Sequence, residues 1–166
     1  MRALCVTRQG DPVTPNVELM DLPEPLAGAG DLLVATEASA LNHLDLWVGR
    51  GLPGVDTAYP HIGGSDGCGR VVGVGQGVNE AWIGRRVMFN LAVDIPHVPS
   101  PESRPSGREI YMIGEHTPGT HAERFVAPAA NAIDVGDSTD PIQAAAFGLT
   151  HLTAWGMLCT KARLRC

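Results

Sequence analysis

Two short segments carry the side chains whose types and spacing are suited to chemistry. Asn42-His43-Leu44-Asp45 brings together an amide, an imidazole and a carboxylate, and Gly63-Gly64-Ser65-Asp66 adds a hydroxyl and a second carboxylate after two glycines. A carboxylate in a cleft can take part in proton transfer. An amide and a hydroxyl, by contrast, are poor ligands for zinc, which prefers thiolate, imidazole or carboxylate. The residue types therefore favour proton-transfer and hydrogen-bonding chemistry over a zinc site.

The predicted secondary structure places these segments beside strands. Residues 31–40 are rich in Leu, Val and Thr and predict one strand, and residues 69–78 predict another. Between them, Asn42 has the side chain of a helix N-cap, apolar residues recur at helical spacing, and Gly51 ends the predicted helix. Asn42 thus has a structural interpretation and a chemical one, and the two are compatible.

The rest of the chain predicts a mainly β structure with short helices and a long final helix. Apolar patterning between turn residues predicts further strands at residues 1–7, 17–22, 85–90, 122–128 and 131–135. Residues 91–108 contain four prolines and predict a loop. Asp140-Pro141 has the composition of a helix start, and the helix should run from residue 142 to about residue 162.

Composition limits the possible classes of function. Hydrophobic residues make up 44% of the 166 residues, which suits one folded domain with a core. The formal net charge is −6 and no basic stripe with aromatics is present, so we expect no nucleic-acid partner. No apolar run is long enough for a membrane span, and four scattered cysteines predict a cytoplasmic protein with reduced thiols.

The glycine-rich stretch Gly73-Val74-Gly75-Gln76-Gly77 invites a dinucleotide-binding interpretation. A pyrophosphate site needs a strand, a glycine turn and then a helix whose N-terminus faces the phosphates. Here the residues that follow predict a turn and another strand. The stretch is therefore interpreted as a turn.

Five motifs in order resemble the N-terminal GroES-like domain of the medium-chain dehydrogenase/reductase superfamily. They are Asn42-His43-Leu44-Asp45, Gly64-Ser65-Asp66-Gly67-Cys68-Gly69, Gly84-Arg85-Arg86-Val87, Gly119-Thr120-His121-Ala122-Glu123 and Leu152-Thr153-Ala154-Trp155. The resemblance covers nearly every residue and is closest to the zinc-free, quinone-reductase-like branch of the alcohol dehydrogenase family. It implies a partly open GroES-like β-barrel in residues 1–140, and a helix in residues 141–166 that would lead into a Rossmann domain.

The resemblance also bears on metal binding. In the zinc-dependent relatives, the positions of Asn42, Ser65 and Leu149 belong to the catalytic zinc ligands, and four cysteines of a structural zinc lobe would fall in residues 91–112. The first three residues are an amide, a hydroxyl and an aliphatic chain, and the lobe segment contains no cysteine. We therefore expect no bound zinc.

The site residues are carried over from the same resemblance. Asn42, Asp45 and His43 are the catalytic candidates, and Asn42 and Thr153 are the candidates for contact with NAD or NADP. Asp45 could instead orient His43 or stabilise the first helical turn, and Thr153 could bond a carbonyl one turn back. The remaining pocket candidates are Leu46, Trp47, Ser65, Asp66, Phe89 and Leu91.

The implied reaction is hydride transfer from NAD(P)H to a carbonyl, enone or quinone-type small molecule. The sequence stops where the Rossmann domain would begin, so we expect a fragment or truncated product that is inactive alone. A stand-alone binding or assembly module is the alternative, because fold does not fix function. The final helix is apolar on nearly every face, which predicts either self-association through residues 142–159 or a mobile helix in the isolated chain.

Overall fold

The computed structural model describes residues 1–94 and 110–164, which are built mainly from strands. The strands are β1 (Arg2–Val6), β2 (Val17–Asp21), β3 (Asp31–Ala40), β4 (His61–Ile62), β5 (Asp66–Val74), β6 (Arg86–Phe89), β7 (Ala92–Asp94), β8 (Ile110–Met112), β9 (Arg124–Pro128) and β10 (Ala132–Asp134). The helices are α1 (His43–Arg50) and α2 (Pro141–Trp155), with a π-helical turn at Gly156–Lys161 and short 3₁₀ turns at Thr14–Asn16, Glu80–Trp82 and Ala129–Asn131.

Within the described ranges, the strands form three antiparallel sheets that do not close into one ring. The largest has five strands in the order β10-β6-β5-β3-β9, the second has three in the order β2-β1-β4, and β7 pairs with β8. The predicted fold class, a mainly β, partly open barrel with a C-terminal helix, is confirmed.

The core lies under the five-stranded sheet. Leu32 and Val34 of β3 are fully buried beside Val71 of β5, as the period-two alternation of a half-buried strand requires. Leu44 and Val48, one turn apart on α1, bury into the same cluster. The start of α1 is thereby fixed close to the ends of β3 and β5.

Helix α2 covers the sheet with small residues and leaves large apolar ones in solvent. Asp140 caps it by accepting from the Ile142 N–H at 2.8 Å, at the position where the sequence predicted the helix to start. Ala144 and Ala145 are buried against β3 and β5. On the other side, Ile142 and Trp155 are 71% and 64% exposed. None of the helices in the described ranges is long and apolar enough to cross a membrane.

Some predicted boundaries were wrong. The predicted loop at 91–108 contains β7, and the four prolines of that segment lie outside the described residues. Strands β4 and β8 were also not predicted, since two or three residues gain strand geometry only from their partners. The turn interpretation of the glycine-rich stretch is confirmed, because Val78 N–H donates to the Gly75 carbonyl and the chain then continues into β6.

Candidate active site

The first candidate segment forms the N-terminal cap of α1. The Asn42 side chain accepts from the Leu44 N–H at 3.2 Å, and the Asp45 carboxylate accepts from the Asn42 N–H at 2.7 Å. These reciprocal bonds make a capping box. The second Asp45 oxygen accepts from the Gly64 N–H at 2.9 Å, so Asp45 ties the two candidate segments together.

Asp66 joins the same cap to helix α2. Its carboxylate is 3% exposed and accepts from Asn42 Nδ2 at 3.1 Å and from the Leu149 N–H at 2.5 Å. Gly148 permits this approach, because a Cβ at that position would lie 2.5 Å from Asp66 Oδ1. Asn42 and Leu149, two of the three positions implied for zinc ligands, therefore meet at a carboxylate.

Ser65 precedes β5 and lies close to Gly114. Its hydroxyl is buried, has no hydrogen-bond partner in residues 1–94 and 110–164, and lies where a Cβ on Gly114 would come within 2.9 Å. Within the described residues, the Ser65 hydroxyl therefore takes no part in the hydrogen bonds of the Asp66 carboxylate.

The two carboxylates have opposite electrostatic environments. Burial raises the pKa of Asp66 above its ordinary value and the charge of Asp45 adds to this, although the bonds from Leu149 and Asn42 oppose it. Burial also acts to raise the pKa of Asp45, but donation from His121 and from the backbone of Asn42 and Gly64 outweighs it and lowers that pKa. Asp45 is the more strongly ionised of the pair.

His121 is a functional candidate that the sequence reasoning missed. Its Nε2 lies 3.5 Å from Asp45 Oδ1, and its Nδ1 lies 2.7 Å from the Ser39 hydroxyl. The only sequence signal was its place in the Gly119–Glu123 motif, which predicts nothing about Asp45, far earlier in the chain. Because Asp45 faces His121, the interpretation in which Asp45 orients His43 is wrong.

The other predicted site residues are spread over the surface and the core. His43 is exposed and meets Trp47 edge-on with ring centroids 4.9 Å apart. Leu46 is 41% exposed on α1, and Thr153 is exposed on α2. Phe89 is 3% exposed and belongs to the core cluster, as does Leu91.

The donor set does not suit zinc. Among the described residues, no group of three or more His, Cys, Asp or Glu side chains is arranged to hold a metal ion. Cys68 follows the second segment, but it is fully buried and burial raises the pKa of its thiol to about 11. A protonated thiol is a poor ligand. At the implied zinc positions, Asn42, Ser65 and Leu149 offer an amide, a hydroxyl and an aliphatic chain, which are poor ligands for the ion.

Comparison with known proteins agrees with the fold. A solved NAD-dependent alcohol dehydrogenase is 35% identical, with a TM-score of 0.84 over 99% of this chain and 48% of that chain. The cobalt- and zinc-bound thermostable alcohol dehydrogenase from Pyrobaculum aerophilum is 30% identical, with a TM-score of 0.79 over 96% and 48%. The zinc-type alcohol dehydrogenase-like protein YogA of Leptosphaeria maculans is 30% identical over 163 residues, covering 93% of this chain and 44% of YogA.

The chain thus spans a little under half the length of these relatives. The family model of the alcohol dehydrogenase GroES-like domain matches residues 28–137, which include the cap of α1, Asp66 and His121. The chain belongs to the alcohol dehydrogenase GroES-like domain family.

Proposed function

We propose that this chain is the substrate-binding part of a zinc-independent, NAD(P)H-dependent oxidoreductase that reduces carbonyl, enone or quinone-type small molecules. The observation that carries the proposal is the hydrogen-bonded cluster of Asn42, Asp45 and Asp66. It stands where the zinc-dependent relatives are implied to hold their metal, and its donors do not suit one.

The Asn42 amide is the proposed donor to the oxygen that gains charge during reduction. Its side-chain oxygen accepts from the Leu44 N–H, and its Nδ2 donates one hydrogen to the Asp66 carboxylate. A second N–H remains on the same nitrogen. The bond to Asp66 fixes the amide plane, so this donor is held in place before substrate binds, which is what oxyanion stabilisation requires.

Helix α2 offers a contact for the cofactor. Thr153 lies one helical turn after Leu149, on the same face, and its side chain is exposed. The Leu149 N–H is bonded to Asp66, so this face of α2 begins beside the Asn42 cluster. Nicotinamide, when bound, would supply the hydride. Thr153 and Asn42 would orient its ring. The cofactor phosphates would not bind at the glycine-rich turn of residues 73–77.

We also propose that the protein is cytoplasmic. Cys5 and Cys68 are free thiols buried in the fold, the usual state in a reducing compartment. We propose small molecules as its partners, without nucleic acid or membrane, in keeping with the net charge of −6.

The test is hydride transfer by the full-length gene product, followed by the absorbance of NADH or NADPH with a panel of aldehydes, enones and quinones. We expect turnover that survives dialysis against EDTA. Asn42→Ala should lower kcat by about 100-fold, because losing one oxyanion donor costs about 3 kcal/mol in the transition state. Stability should fall by about 2–4 kcal/mol, because the substitution removes both an N-cap, about 1 kcal/mol, and the hydrogen bond to the buried Asp66 carboxylate, about 1.5–3 kcal/mol.

The matched control is Asp140→Ala, which removes the N-cap of α2. It should cost about 1 kcal/mol of stability and leave kcat nearly unchanged. Turnover that disappears with EDTA and returns with zinc would contradict the proposal, as would equal loss of kcat in both variants. A full-length protein that binds no nicotinamide nucleotide in titration would favour a non-catalytic module.

A further inference from the structure

We propose that Ser39, His121 and Asp45 form a hydrolytic site that cleaves small aryl esters of carboxylic acids. The Ser39 hydroxyl, the imidazole of His121 and the Asp45 carboxylate follow one another in space. This is the order of a nucleophile, its general base and the group that orients the base. The reaction needs no nicotinamide nucleotide, so the proposal is independent of the oxidoreductase reaction.

Ser39 lies near the end of β3, where its side chain borders an open cavity. The residue is exposed and lines a cavity of about 380 Å³ together with Thr120 and His121. We call this the Ser39 cavity. Its apolar lining includes Leu4 and Leu19, which are 41% and 67% exposed. A small ester with an apolar group can therefore reach the Ser39 side chain from solvent.

The hydrogen bonds around Ser39 leave its hydroxyl hydrogen free to point to His121. Ser39 Oγ lies 2.7 Å from His121 Nδ1 and 3.0 Å from the Asp66 carbonyl oxygen. That carbonyl oxygen already accepts from the Thr120 hydroxyl at 2.8 Å, so it has a partner whichever way Ser39 turns. When Ser39 donates to Nδ1, the neutral ring carries its hydrogen on Nε2, which lies 3.5 Å from Asp45 Oδ1.

The charge of Asp45 favours this arrangement over the opposite one. With the hydrogen on Nδ1 instead, a lone pair of Nε2 would face the carboxylate. Interactions with an ionised partner are about twice as strong as those between neutral groups, so they outweigh a bond from Ser39 to a carbonyl. Nε2 is buried, which strengthens its interaction with the charge. Burial alone would raise the pKa of Asp45, and His121 helps to lower it instead.

Two glycines make room for the ring and the carboxylate. A Cβ on Gly64 would lie 2.8 Å from His121 Nδ1, and a Cβ on Gly63 would lie 3.4 Å from Asp45 Oδ1. Gly64 also has a φ of +97°, which other residues rarely adopt. Its N–H donates to Asp45 at 2.9 Å and holds the carboxylate in place. The general base is thus positioned before an ester binds.

The proposed reaction has two steps that balance without an oxidant or reductant. Ser39 Oγ bonds to the ester carbonyl carbon while its proton passes to His121 Nδ1, and Asp45 stabilises the imidazolium. The bond from that carbon to the aryl oxygen breaks, and the phenol leaves with the proton. Water then attacks the acyl-Ser39 ester with the same base, which releases the carboxylic acid and restores the hydroxyl.

An aryl ester makes the smallest demand on the rest of the cavity. Phenolate is a good leaving group, so the reaction depends less on stabilising the negative oxygen formed by attack. Arg2 lines the Ser39 cavity, and its Nε donates to Glu123 at 2.8 Å. Its terminal N–H groups form no hydrogen bond within the described residues, and they are the donors that the cavity offers to that oxygen.

The test is hydrolysis of p-nitrophenyl acetate by the purified chain without added nucleotide, followed by the absorbance of p-nitrophenolate. We expect an initial burst of about one p-nitrophenolate per chain, and an acetyl group on Ser39 in mass spectra of acid-quenched protein. Ser39→Ala should remove both. His121→Phe keeps a ring beside the two glycines but has no base, and should lower the rate by about 100-fold.

Ser138→Ala is the matched control. Ser138 is exposed but has no imidazole bonded to it within the described residues, so this variant should react as the unmodified chain does. Because Ser39 is exposed, Ser39→Ala should unfold close to the urea concentration of the unmodified chain. An acetyl group on another residue in place of Ser39, an unchanged burst in Ser39→Ala, or a rate no higher than that of free histidine would overturn the proposal.

Discussion

Replacing Asp66 by Asn should destabilise the chain although the two side chains have the same shape. The carboxylate accepts from Asn42 Nδ2 at 3.1 Å and from the Leu149 N–H at 2.5 Å, and it is 3% exposed. An amide has one oxygen and one NH₂ group. One of the two donors would keep an acceptor, and the other would face an N–H at hydrogen-bond distance.

The size of the effect follows from these contacts. A hydrogen bond to a charged group contributes about 1.5–3 kcal/mol, and a buried donor left without a partner adds to the loss. Burial raises the pKa of Asp66, so the neutral amide avoids a desolvation cost that the carboxylate bears. We therefore expect a net loss of about 2 kcal/mol, which lowers Tm by about 4–8 °C for a domain of this size.

Urea unfolding is the assay, with the midpoint shifted and the slope unchanged if only stability is altered. Asp134→Asn is the control, since Asp134 forms an exposed ion pair with Arg85 at 3.0 Å and such pairs contribute about 0–1 kcal/mol. Equal stability of Asp66→Asn and the unmodified chain would refute the claim that the carboxylate joins α1 to α2.

Three further predictions concern charge and surface. The pKa of Asp45 is lowered in the folded protein, so its carboxylate stabilises the fold at pH values above its ordinary pKa. That stabilisation is lost as the pH falls through the pKa of the folded state. Asp45→Asn should therefore flatten the acid side of a plot of stability against pH. Arg86→Ala should lower Tm more than Arg85→Ala, because Arg86 is 12% exposed and bonds both Glu37 and two carbonyls before α2. Light scattering should show that the chain self-associates through α2, and Trp155→Lys should reduce this self-association. A strictly monomeric chain with slow amide exchange across α2 would contradict this prediction.

Local sequence predicted the elements whose signals are local. Strand β3 combines an apolar pattern with turn residues on both sides, and α1 and α2 each begin at a capping side chain, Asn42 and Asp140. Strands β7 and β8 carry no such signal. Their geometry comes from pairing Ala92 with Met112 across a segment of the chain that separates them in sequence. The β-propensity of single residues does not predict pairing between residues this far apart in the sequence.

The candidate site was predictable in part for the same reason. Asn42 and Asp66 were expected to lie together from the family resemblance, and they are hydrogen-bonded. The contact from α2 was not predictable, since Leu149 contributes a backbone N–H that its apolar side chain does not signal. The approach of His121 to Asp45 depends on how the chain after β8 packs beside α1, which one sequence alone does not specify.

The zinc content of the purified, tag-free chain tests the central claim most directly. The protein is dialysed against excess zinc, then against zinc-free buffer without chelator, and measured by elemental analysis. Asn42 and Leu149 both bond to the Asp66 carboxylate, and no group of three or more His, Cys, Asp or Glu side chains in the described residues could hold a metal ion. We therefore expect a zinc content close to zero. A content close to one zinc per chain would contradict it.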